Sequence, residues 1–223
     1  MRNDFDLLVF DWDGTLMDSV ASIVACMQQA ADDLGFGPVP EESVRRMIGL
    51  GLIEAREAVG LPVSEETWLE VIERYRHHWL ATYKDQNLLF PGAAPMLGEL
   101  AAAGYVLAVA TGKGRRGLDR DLDATGVRGL FAATRTVDES PSKPHPAMLL
   151  ELMDELGATP RRTLMIGDTP YDLQMATNAG AGSVAVTSGT HGAQELTRFG
   201  PLACLPSVVA LPSWLAGPRE EGS

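Results

Sequence analysis

Two aspartates, Asp11 and Asp13, stand on either side of a tryptophan in the stretch VFDWDGTLMDS, residues 9–19. They follow a compact apolar run that is typical of a buried strand. Like charges at this spacing repel each other, so local stability does not account for the pair. Carboxylates in such a place can bind a metal ion, attack an electrophile or carry a proton.

The elements that position this pair follow a simple alternation. Short β-rich runs lie at 7–10, 105–110, 130–137, 163–166 and 183–186. Helical patterns separate the later runs, at 92–103, 146–156 and 170–179, and each ends before a glycine. Most of the runs are apolar on both faces, as in strands covered on both sides. The pattern predicts an α/β fold with a doubly wound parallel sheet, Rossmann-like in its core.

One long stretch, residues 18–88, breaks this alternation. Apolar residues recur at helical spacing over 20–34 and 68–83, with two shorter helices expected around 41–48 and 52–59. We expect residues 1–17 and 89–216 to form the core and residues 18–88 to form a helical domain. The polar tail, 217–223, is expected to be disordered.

Polar groups follow each of the first four runs. In open α/β sheets, ligands bind beyond the carboxyl ends of the strands, so these groups should meet at one edge. In chain order they are Asp11, Asp13, Gly14 and Thr15, then Thr111, Gly112 and Lys113, then Lys143, and finally Asp168 and Asp172. Several carboxylates at one place need a cation, and hard oxygen ligands suit Mg²⁺. The hydroxyl and ammonium groups suit phosphate oxygens.

Each of these pieces also has a plain structural interpretation. Asp and Gly favour turns, so residues 11–15 could simply form a turn. Thr169, Pro170 and Asp172 make a good helix start, so Asp172 could be a capping residue. Lys143 alone could be a solvated lysine. The agreement of four separate elements at the same ends of their strands favours a site.

Composition narrows the class of partner. The 223 residues carry a net charge of −12, which argues against nucleic acid and anionic membranes as partners. No apolar stretch approaches the ~20 residues of a membrane span. The N-terminus lacks a signal-peptide pattern, and the two cysteines, Cys26 and Cys204, match no metal spacing. We expect a cytoplasmic protein that is a monomer or a weak homodimer.

Four ordered motifs resemble the haloacid dehalogenase superfamily of aspartyl-phosphate phosphotransferases. They are DWDGT at 11–15, VAT at 109–111, Lys143 in KPHP, and GDTPYD at 167–172. The resemblance includes a helical cap inserted after the first motif and the return at FPGA, 90–93. Within the superfamily, the sequence is most similar to phosphoglycolate phosphatase-like members.

The resemblance implies a role for each matched residue. Asp11 would be the nucleophile that takes the phosphoryl group, and Asp13 the acid that protonates the leaving oxygen and later the base for water. The Asp11 carboxylate, the Asp13 backbone carbonyl and Asp168 would hold Mg²⁺, with Asp172 supporting the ion directly or through its ligands. The groups implied at the phosphate or substrate are Gly14, Thr15, Thr111, Gly112, Lys113 and Lys143.

The implied activity is hydrolysis of a small phosphorylated metabolite, with 2-phosphoglycolate as the best candidate. Asp13 disfavours dehalogenases and phosphonate hydrolases, which lack an aspartate there. Thr15 and Ile23 stand where related sugar-phosphate mutases often have valine and histidine, so a mutase is disfavoured. A phosphomutase or a sugar-phosphate phosphatase of the superfamily nevertheless stays open.

Two alternatives come from other classes, a phospho-aspartate signalling domain and a binding protein without activity. Receiver domains are about half this length and lack the helical insertion, and no motif residue is missing here.

Two stretches bear on specificity. In the basic run 113–120, we hypothesise that Lys113, with an arginine, meets a second anionic group. In MIGLGL, 47–52, Gly49 and Gly51 could let backbone approach a ligand, although a plain turn between helices explains them equally well.

Overall fold

Six parallel strands form the centre of the fold in the computed structural model, which describes residues 5–84 and 86–217. The strands are β1 (Leu7–Phe10), β2 (Val106–Thr111), β3 (Ala133–Thr136), β4 (Thr163–Gly167), β5 (Gly182–Val186) and β6 (Cys204–Leu205). Their order across the sheet is β3-β2-β1-β4-β5-β6, so β1 is central and pairs with β2 and β4. The predicted doubly wound parallel sheet is confirmed.

The helices fall close to the predicted ranges. In chain order they are α1 (Val20–Asp33), α2 (Glu41–Met47), α3 (Leu52–Val59), α4 (Glu65–Thr82), α5 (Ala93–Ala102), α6 (Arg115–Thr125), α7 (Ala147–Leu156), α8 (Pro170–Ala179), α9 (Ala193–Leu196) and α10 (Leu211–Ala216). Single 3₁₀ turns lie at Arg128–Leu130, Pro160–Arg162, Thr197–Phe199 and Val208–Ala210.

Both faces of the sheet are buried, which explains the continuous apolar runs. Along β1, Leu8 and Phe10 point into one core, which they share with α1, α4 and α5. Leu7 and Val9 point into the second core, against α7 and α8. All four side chains are fully buried, so β1 has no solvent-facing position. The two cores therefore fix β1 from both faces of the sheet, up to its carboxyl end.

Helices α1 to α4 form a helical part inserted between β1 and α5, in which α1 packs chiefly against α4. The chain enters and leaves this part through two adjacent segments. The Asp18 amide donates to the Leu88 carbonyl at 2.7 Å, and the Phe90 amide donates to the Leu16 carbonyl at 2.9 Å. These links lie near the predicted boundaries at 17–18 and 88–89, and the division into core and cap domains stays a prediction.

Two predictions concern the ends of the chain and membranes. Of the predicted tail, 217–223, only Gly217 belongs to the described residues, and 218–223 lie outside them. No helix within 5–84 and 86–217 has the length and apolar character needed to cross a membrane.

Candidate active site

The carboxyl ends of β1 and β4 place two buried aspartates side by side. The Asp11 amide donates to the Ile166 carbonyl at 2.9 Å, which extends the pairing of these strands by one residue. The hydrogen bonds between β1 and β4 therefore fix the direction in which the chain leaves β1 at Asp11. Asp168 follows the neighbouring strand, β4, at the same edge of the sheet. Both residues are almost completely shielded from solvent, with exposures of 1% and 0%.

Gly14 lets the chain turn tightly over Asp168. Its φ is +86°, a left-handed conformation, and a Cβ there would lie 2.4 Å from Asp168 Oδ2. The turn brings the hydroxyl of Thr15 to Asp168 Oδ1, to which it donates at 2.8 Å. In this structure, the hydroxyl predicted at the phosphate thus supports a carboxylate of the acidic cluster.

Three buried aspartates, Asp11, Asp168 and Asp172, form an acidic cluster in which one oxygen from each lies within 4.8 Å of the others. The fully buried Lys143 lies among them, with Nζ 2.8 Å from Asp11 Oδ1 and 2.6 Å from Asp172 Oδ1. Three carboxylates and one ammonium leave a formal charge of −2 among buried side chains.

The pKa values of the cluster reflect that excess of negative charge. Burial, together with the charges of Asp172 and Asp168, raises the pKa of Asp11 to about 8 despite the nearby Lys143 ammonium. Burial and Asp172 raise the pKa of Asp168 to about 6, against hydrogen bonds from Thr190 and Thr15. Burial opposes the charge of Lys143, but Asp11 and Asp172 outweigh it and raise its pKa.

The acidic cluster fits a divalent cation. Both carboxylate oxygens of Asp11 are buried and accept no hydrogen bond from the described residues, since Lys143 approaches Oδ1 outside hydrogen-bond geometry. A buried carboxylate is unfavourable when its neighbouring ammonium is shared with a second carboxylate, as Lys143 is shared with Asp172. A hard divalent cation at this point would satisfy the Asp11 oxygens and balance the formal charge.

Asp172 has the capping role, one of the two interpretations that the sequence left open. Its Oδ2 accepts from the amide and hydroxyl of Thr169, at 3.1 and 2.7 Å, and its own amide donates to the Thr169 hydroxyl. This capping box begins α8, so the structural interpretation of Asp172 is confirmed. The other oxygen, Oδ1, accepts from Lys143, which links the N-terminus of α8 to the acidic cluster. Whether Asp172 also ligates a metal stays a prediction.

Asp13 faces a different set of partners. Both of its carboxylate oxygens accept from Lys113 Nζ at 2.9 Å, and Oδ1 also accepts from the Ser19 hydroxyl at 2.7 Å. Lys113 Nζ lies 3.2 Å from Asp121 Oδ2, which in turn accepts from the indole of Trp12. Burial opposes the charge of Lys113, but the two aspartates raise its pKa.

Two predictions about this region can be compared with those contacts. Trp12 is fully buried, and its indole donates to Asp121. Lys113, predicted to meet a second anionic group, is already engaged by two carboxylates of the core. Of the basic run, Arg115 pairs with Glu139 at 2.5 Å, which directs it toward β3 and away from the acidic cluster.

The loop between α2 and α3, residues 48–51, presses onto the core beside the predicted phosphate site. A Cβ on Gly112 would lie 2.5 Å from the Gly49 carbonyl oxygen. The Gly51 amide donates to the Ser142 hydroxyl at 2.7 Å, next to Lys143. Thr111 lies just before this contact, and its hydroxyl accepts from the Lys113 amide at 3.1 Å. The two glycines of MIGLGL therefore make close contacts with two core loops.

The loop after β5 contributes a residue that the sequence analysis missed. Thr190 donates both its amide and its hydroxyl to Asp168 Oδ2, each at 2.8 Å. The signal was present, because the fifth apolar run is also followed by hydroxyl residues, in TSGT, 187–190. Thr190 and Thr15 together fix both oxygens of Asp168.

A cavity of about 200 Å³ lies between the edge of the sheet and the helical part. Its floor includes Asp11, Asp13, Thr111, Gly112 and Lys113. Its opposite wall comes from α1 to α4 and is mostly apolar. The two aspartates that opened the sequence analysis thus share one cavity, and the fully buried Lys143 lies beneath Asp11.

Comparison with known proteins agrees with this arrangement. The family model described as "Haloacid dehalogenase-like hydrolase" matches residues 8–186. The chain belongs to the haloacid dehalogenase-like hydrolase family. It is 36% identical over 203 residues to "Probable phosphatase IndB" of Dickeya dadantii, covering 87% of this chain and 86% of that protein. It is 31% identical over 210 residues to "Phosphoglycolate phosphatase" of Haemophilus influenzae, covering 90% and 94%.

A solved structure agrees with these relatives. The crystal structure of a hydrolase from Pseudomonas syringae superposes with a TM-score of 0.85 at 27% identity, covering 97% of this chain and 99% of that one. The comparisons confirm the predicted family, the haloacid dehalogenase fold and the enzyme class, a phosphoric monoester hydrolase.

Proposed function

We propose that this haloacid dehalogenase-like hydrolase is a Mg²⁺-dependent phosphatase that hydrolyses small phosphate monoesters through an aspartyl phosphate on Asp11. The observation that carries the proposal is the state of the Asp11 carboxylate. It is buried at the floor of a cavity, accepts no hydrogen bond from the described residues, and lies 2.8 Å from the Lys143 ammonium. A carboxylate without hydrogen-bond donors keeps its lone pairs available to attack phosphorus.

In the first step, an Asp11 oxygen attacks phosphorus while the bond from phosphorus to the ester oxygen breaks. Asp13, two residues on, gives its proton to that leaving oxygen. In the second step, water attacks the phosphorus of the aspartyl phosphate, Asp13 takes a proton from the water, and inorganic phosphate leaves Asp11. Ser19 and Lys113 contact the Asp13 carboxylate and support its orientation toward the cavity.

The charge of the transferring group needs matched donors and cations. Lys143, the Thr111 hydroxyl and the backbone amides near Gly14 and Gly112 are suited to bind its oxygens. Bound Mg²⁺, held by the Asp11 carboxylate, the Asp13 carbonyl and Asp168, would neutralise charge that develops on the phosphoryl oxygens. Thr15 and Thr190 fix Asp168 for that role by donating to both of its oxygens.

The helical part, α1 to α4, is proposed to act as a cap domain. It supplies the wall of the cavity opposite the floor, and its loop 48–51 contacts the core at Gly112 and Ser142. The two adjacent connections near residues 16–20 and 86–91 would serve as the hinge. Opening would admit substrate, and closing would control water at the aspartyl phosphate.

Among metabolites, 2-phosphoglycolate is the candidate that the sequence favours, and the name of the Haemophilus influenzae relative supports it. Its carboxylate would need a cation. Lys113, the predicted partner, is engaged by Asp13 and Asp121, so recognition of that carboxylate would require Lys113 to leave them. The predicted cytoplasmic location and the monomeric or weakly dimeric state stay predictions.

Hydrolysis of p-nitrophenyl phosphate with and without Mg²⁺ tests the proposal. We expect phosphate release that requires the metal, and a labelled enzyme adduct after rapid acid quench. A folded protein that releases no phosphate under either condition contradicts the proposal. An adduct that persists without turnover would instead indicate a phospho-aspartate signalling domain. Transfer between sugar phosphates without phosphate release would indicate a mutase.

A further inference from the structure

We infer that the natural substrate is a phosphate monoester whose leaving group is uncharged and presents an apolar surface to helices α1 to α4. The inference rests on the proposed phosphatase function and specifies the substrate class of the same cavity. It replaces 2-phosphoglycolate, whose leaving group is charged, as the expected substrate. It follows from the contrast between the wall that the leaving group would meet and the charged floor that would hold the phosphate.

The wall of the cavity opposite Asp11 is apolar. Ile23 and Met27 of α1 and Ile72 of α4 line it with exposures of only 5%, 0% and 8%. Met47 and Leu50 add half-buried side chains at the entrance to the loop between α2 and α3. A leaving group that contacts the three buried side chains gains dispersion contacts, and one that covers Met47 and Leu50 also removes their exposed apolar surface from water.

The buried cations around the cavity are already paired with carboxylates, and Arg76 lies at its solvent-exposed rim. Among its described lining residues, Lys113 and Arg76 are the cations. Lys113 pairs with Asp13 and Asp121, and its Nζ lies 5.0 Å from the centre of the Trp79 ring. Arg76 pairs with Glu73 at the surface, where its side chain is 58% exposed. Lys143, below the floor, is engaged by two aspartates of the acidic cluster.

A second anionic group on the substrate would therefore meet unfavourable surroundings. Asp13 and Asp138 also line the cavity, so fixed negative charge is in excess wherever a carboxylate could approach the floor. Desolvating a carboxylate against apolar walls without a free cation is strongly unfavourable. An uncharged group avoids that loss.

One polar side chain stands out on the helical wall. Tyr75 of α4 lines the cavity, and its hydroxyl makes no hydrogen bond to the residues in the described ranges. Burial raises the pKa of Tyr75 well above its usual range, so the hydroxyl stays protonated. It can meet a neutral hydroxyl or carbonyl oxygen of the leaving group as a hydrogen-bond donor.

A matched pair of substrates tests the inference. Isobutyl phosphate and 2-phosphoglycolate have leaving groups of similar size and branching, in which two methyl groups replace two carboxylate oxygens. We expect kcat/KM for isobutyl phosphate to exceed that for 2-phosphoglycolate by at least about tenfold, because only the carboxylate must be desolvated without a counter-charge. An equal or higher kcat/KM for 2-phosphoglycolate would overturn the inference.

Failure of this inference can be told from failure of the proposed function. If p-nitrophenyl phosphate is hydrolysed but neither matched ester is, the inference is wrong and the phosphatase proposal stands. If none of the three esters releases phosphate in Mg²⁺, the phosphatase proposal is wrong and the inference fails with it.

A charge placed on the wall provides a second, independent readout. Leu50→Lys puts an ammonium on the half-buried loop facing the cavity and should shift the ratio of kcat/KM values toward 2-phosphoglycolate by about tenfold or more. Leu69→Lys is the matched control, since Leu69 is 48% exposed on α4 and does not line the cavity. An unchanged ratio in folded Leu50→Lys, or the same shift in Leu69→Lys, contradicts the inference.

Discussion

The floor and the helical wall of the cavity are stabilised by different kinds of interaction. On the floor, charged groups from β1, β2, β4 and the loop carrying Lys143 pair across long sequence separations and are almost fully buried. On the helical side, α1 to α4 present apolar side chains, and the loop 48–51 contacts the core. In the proposed function, the floor acts on the phosphoryl group and the helical side selects what that group is attached to.

This difference predicts how each side responds to substitution. In the acidic cluster, Lys143 is shared by Asp11 and Asp172, and these carboxylates lie close to Asp168, so removing one charge changes several neighbours at once. On the helical wall, dispersion and burial act over many small contacts, so single changes should alter specificity more than chemistry. The predictions below start with the groups on which the floor depends most.

Asp11→Asn should abolish turnover. The amide lacks a nucleophilic carboxylate oxygen, and the acidic cluster loses one of its three charges. We expect no detectable phosphate release and no labelled adduct after acid quench, while circular dichroism shows a folded protein. Because burial raises the pKa of Asp11, its neutral replacement should not lower thermal stability. An adduct of normal yield in this variant would exclude Asp11 as the nucleophile.

A reversible cross-link between the two sides tests their relative motion. A Cβ on Gly51 would lie 2.9 Å from Ser142 Cβ, so a small shift lets Gly51→Cys and Ser142→Cys form a disulfide. Oxidation should stop turnover of metabolites and reduction should restore it, because the proposed cap could no longer open. Each single variant under oxidising conditions is the control. Full activity of the verified disulfide form would show that opening is not required.

Asp13→Asn should separate the two chemical steps. General acid–base groups typically accelerate a reaction by about 10²–10⁴-fold, so the turnover rate should decrease by a factor in that range. p-Nitrophenol needs little protonation as it leaves, so the aspartyl phosphate should still form. Hydrolysis would lack its base, which predicts a burst of p-nitrophenol, then a slow steady state with phosphate held on the enzyme.

Asp121→Asn is the matched control for this experiment. It removes the second carboxylate partner of Lys113 but leaves Asp13 in place, and its amide oxygen can still accept from Trp12. We expect this variant to turn over without a burst. If both variants show the same burst, the effect arises from the displaced Lys113 and not from the missing acid and base.

Asp168→Asn should raise the Mg²⁺ concentration needed for half-maximal activity by about 100-fold or more. One carboxylate of the acidic cluster is lost, and carboxylate oxygens are the preferred ligands of this ion. Thr190→Val removes only one of two hydrogen bonds that Thr190 donates to Asp168, and should raise the requirement by roughly tenfold. An unchanged metal requirement in Asp168→Asn would remove this residue from the metal site.

The floor was predictable from the sequence because its groups directly follow apolar runs that must be strands. Asp11 and Asp168 needed only the rule that ligands gather at carboxyl ends of parallel strands. The sequence placed Lys113 at the same edge as Asp13 but did not predict their pairing, because the direction of Lys113 depends on how α6 carries Asp121. β6 was missed because two half-buried residues, Cys204 and Leu205, carry no periodicity.

The contact between the two sides could be nominated from sequence but not described. The glycines of MIGLGL suggested a close approach, yet the same letters fit a turn, since a glycine does not say which neighbour needs the space. In the structure, the missing side chains of Gly49 and Gly51 face Thr169 and Ser142, while the Gly49 carbonyl fills the space beside Gly112, which directly follows the second motif of the family. The contact between Gly49 and Gly112 therefore joins the two sides through backbone alone.

Gly112→Ala tests this backbone contact and should have the smallest effect of the series. The new Cβ would lie 2.5 Å from the Gly49 oxygen, and backbone on both sides leaves no flexible group to move aside. The loop 48–51 must shift, which should lower stability by about 1–3 kcal/mol and kcat/KM by roughly tenfold.

Gly98→Ala, inside α5 with no atom near its Cβ position, is the control. It should raise stability by about 0.5–1 kcal/mol and leave kcat/KM unchanged. Equal kinetics for both variants, measured with p-nitrophenyl phosphate and the two matched esters, would show that the loop 48–51 does not help to shape the site.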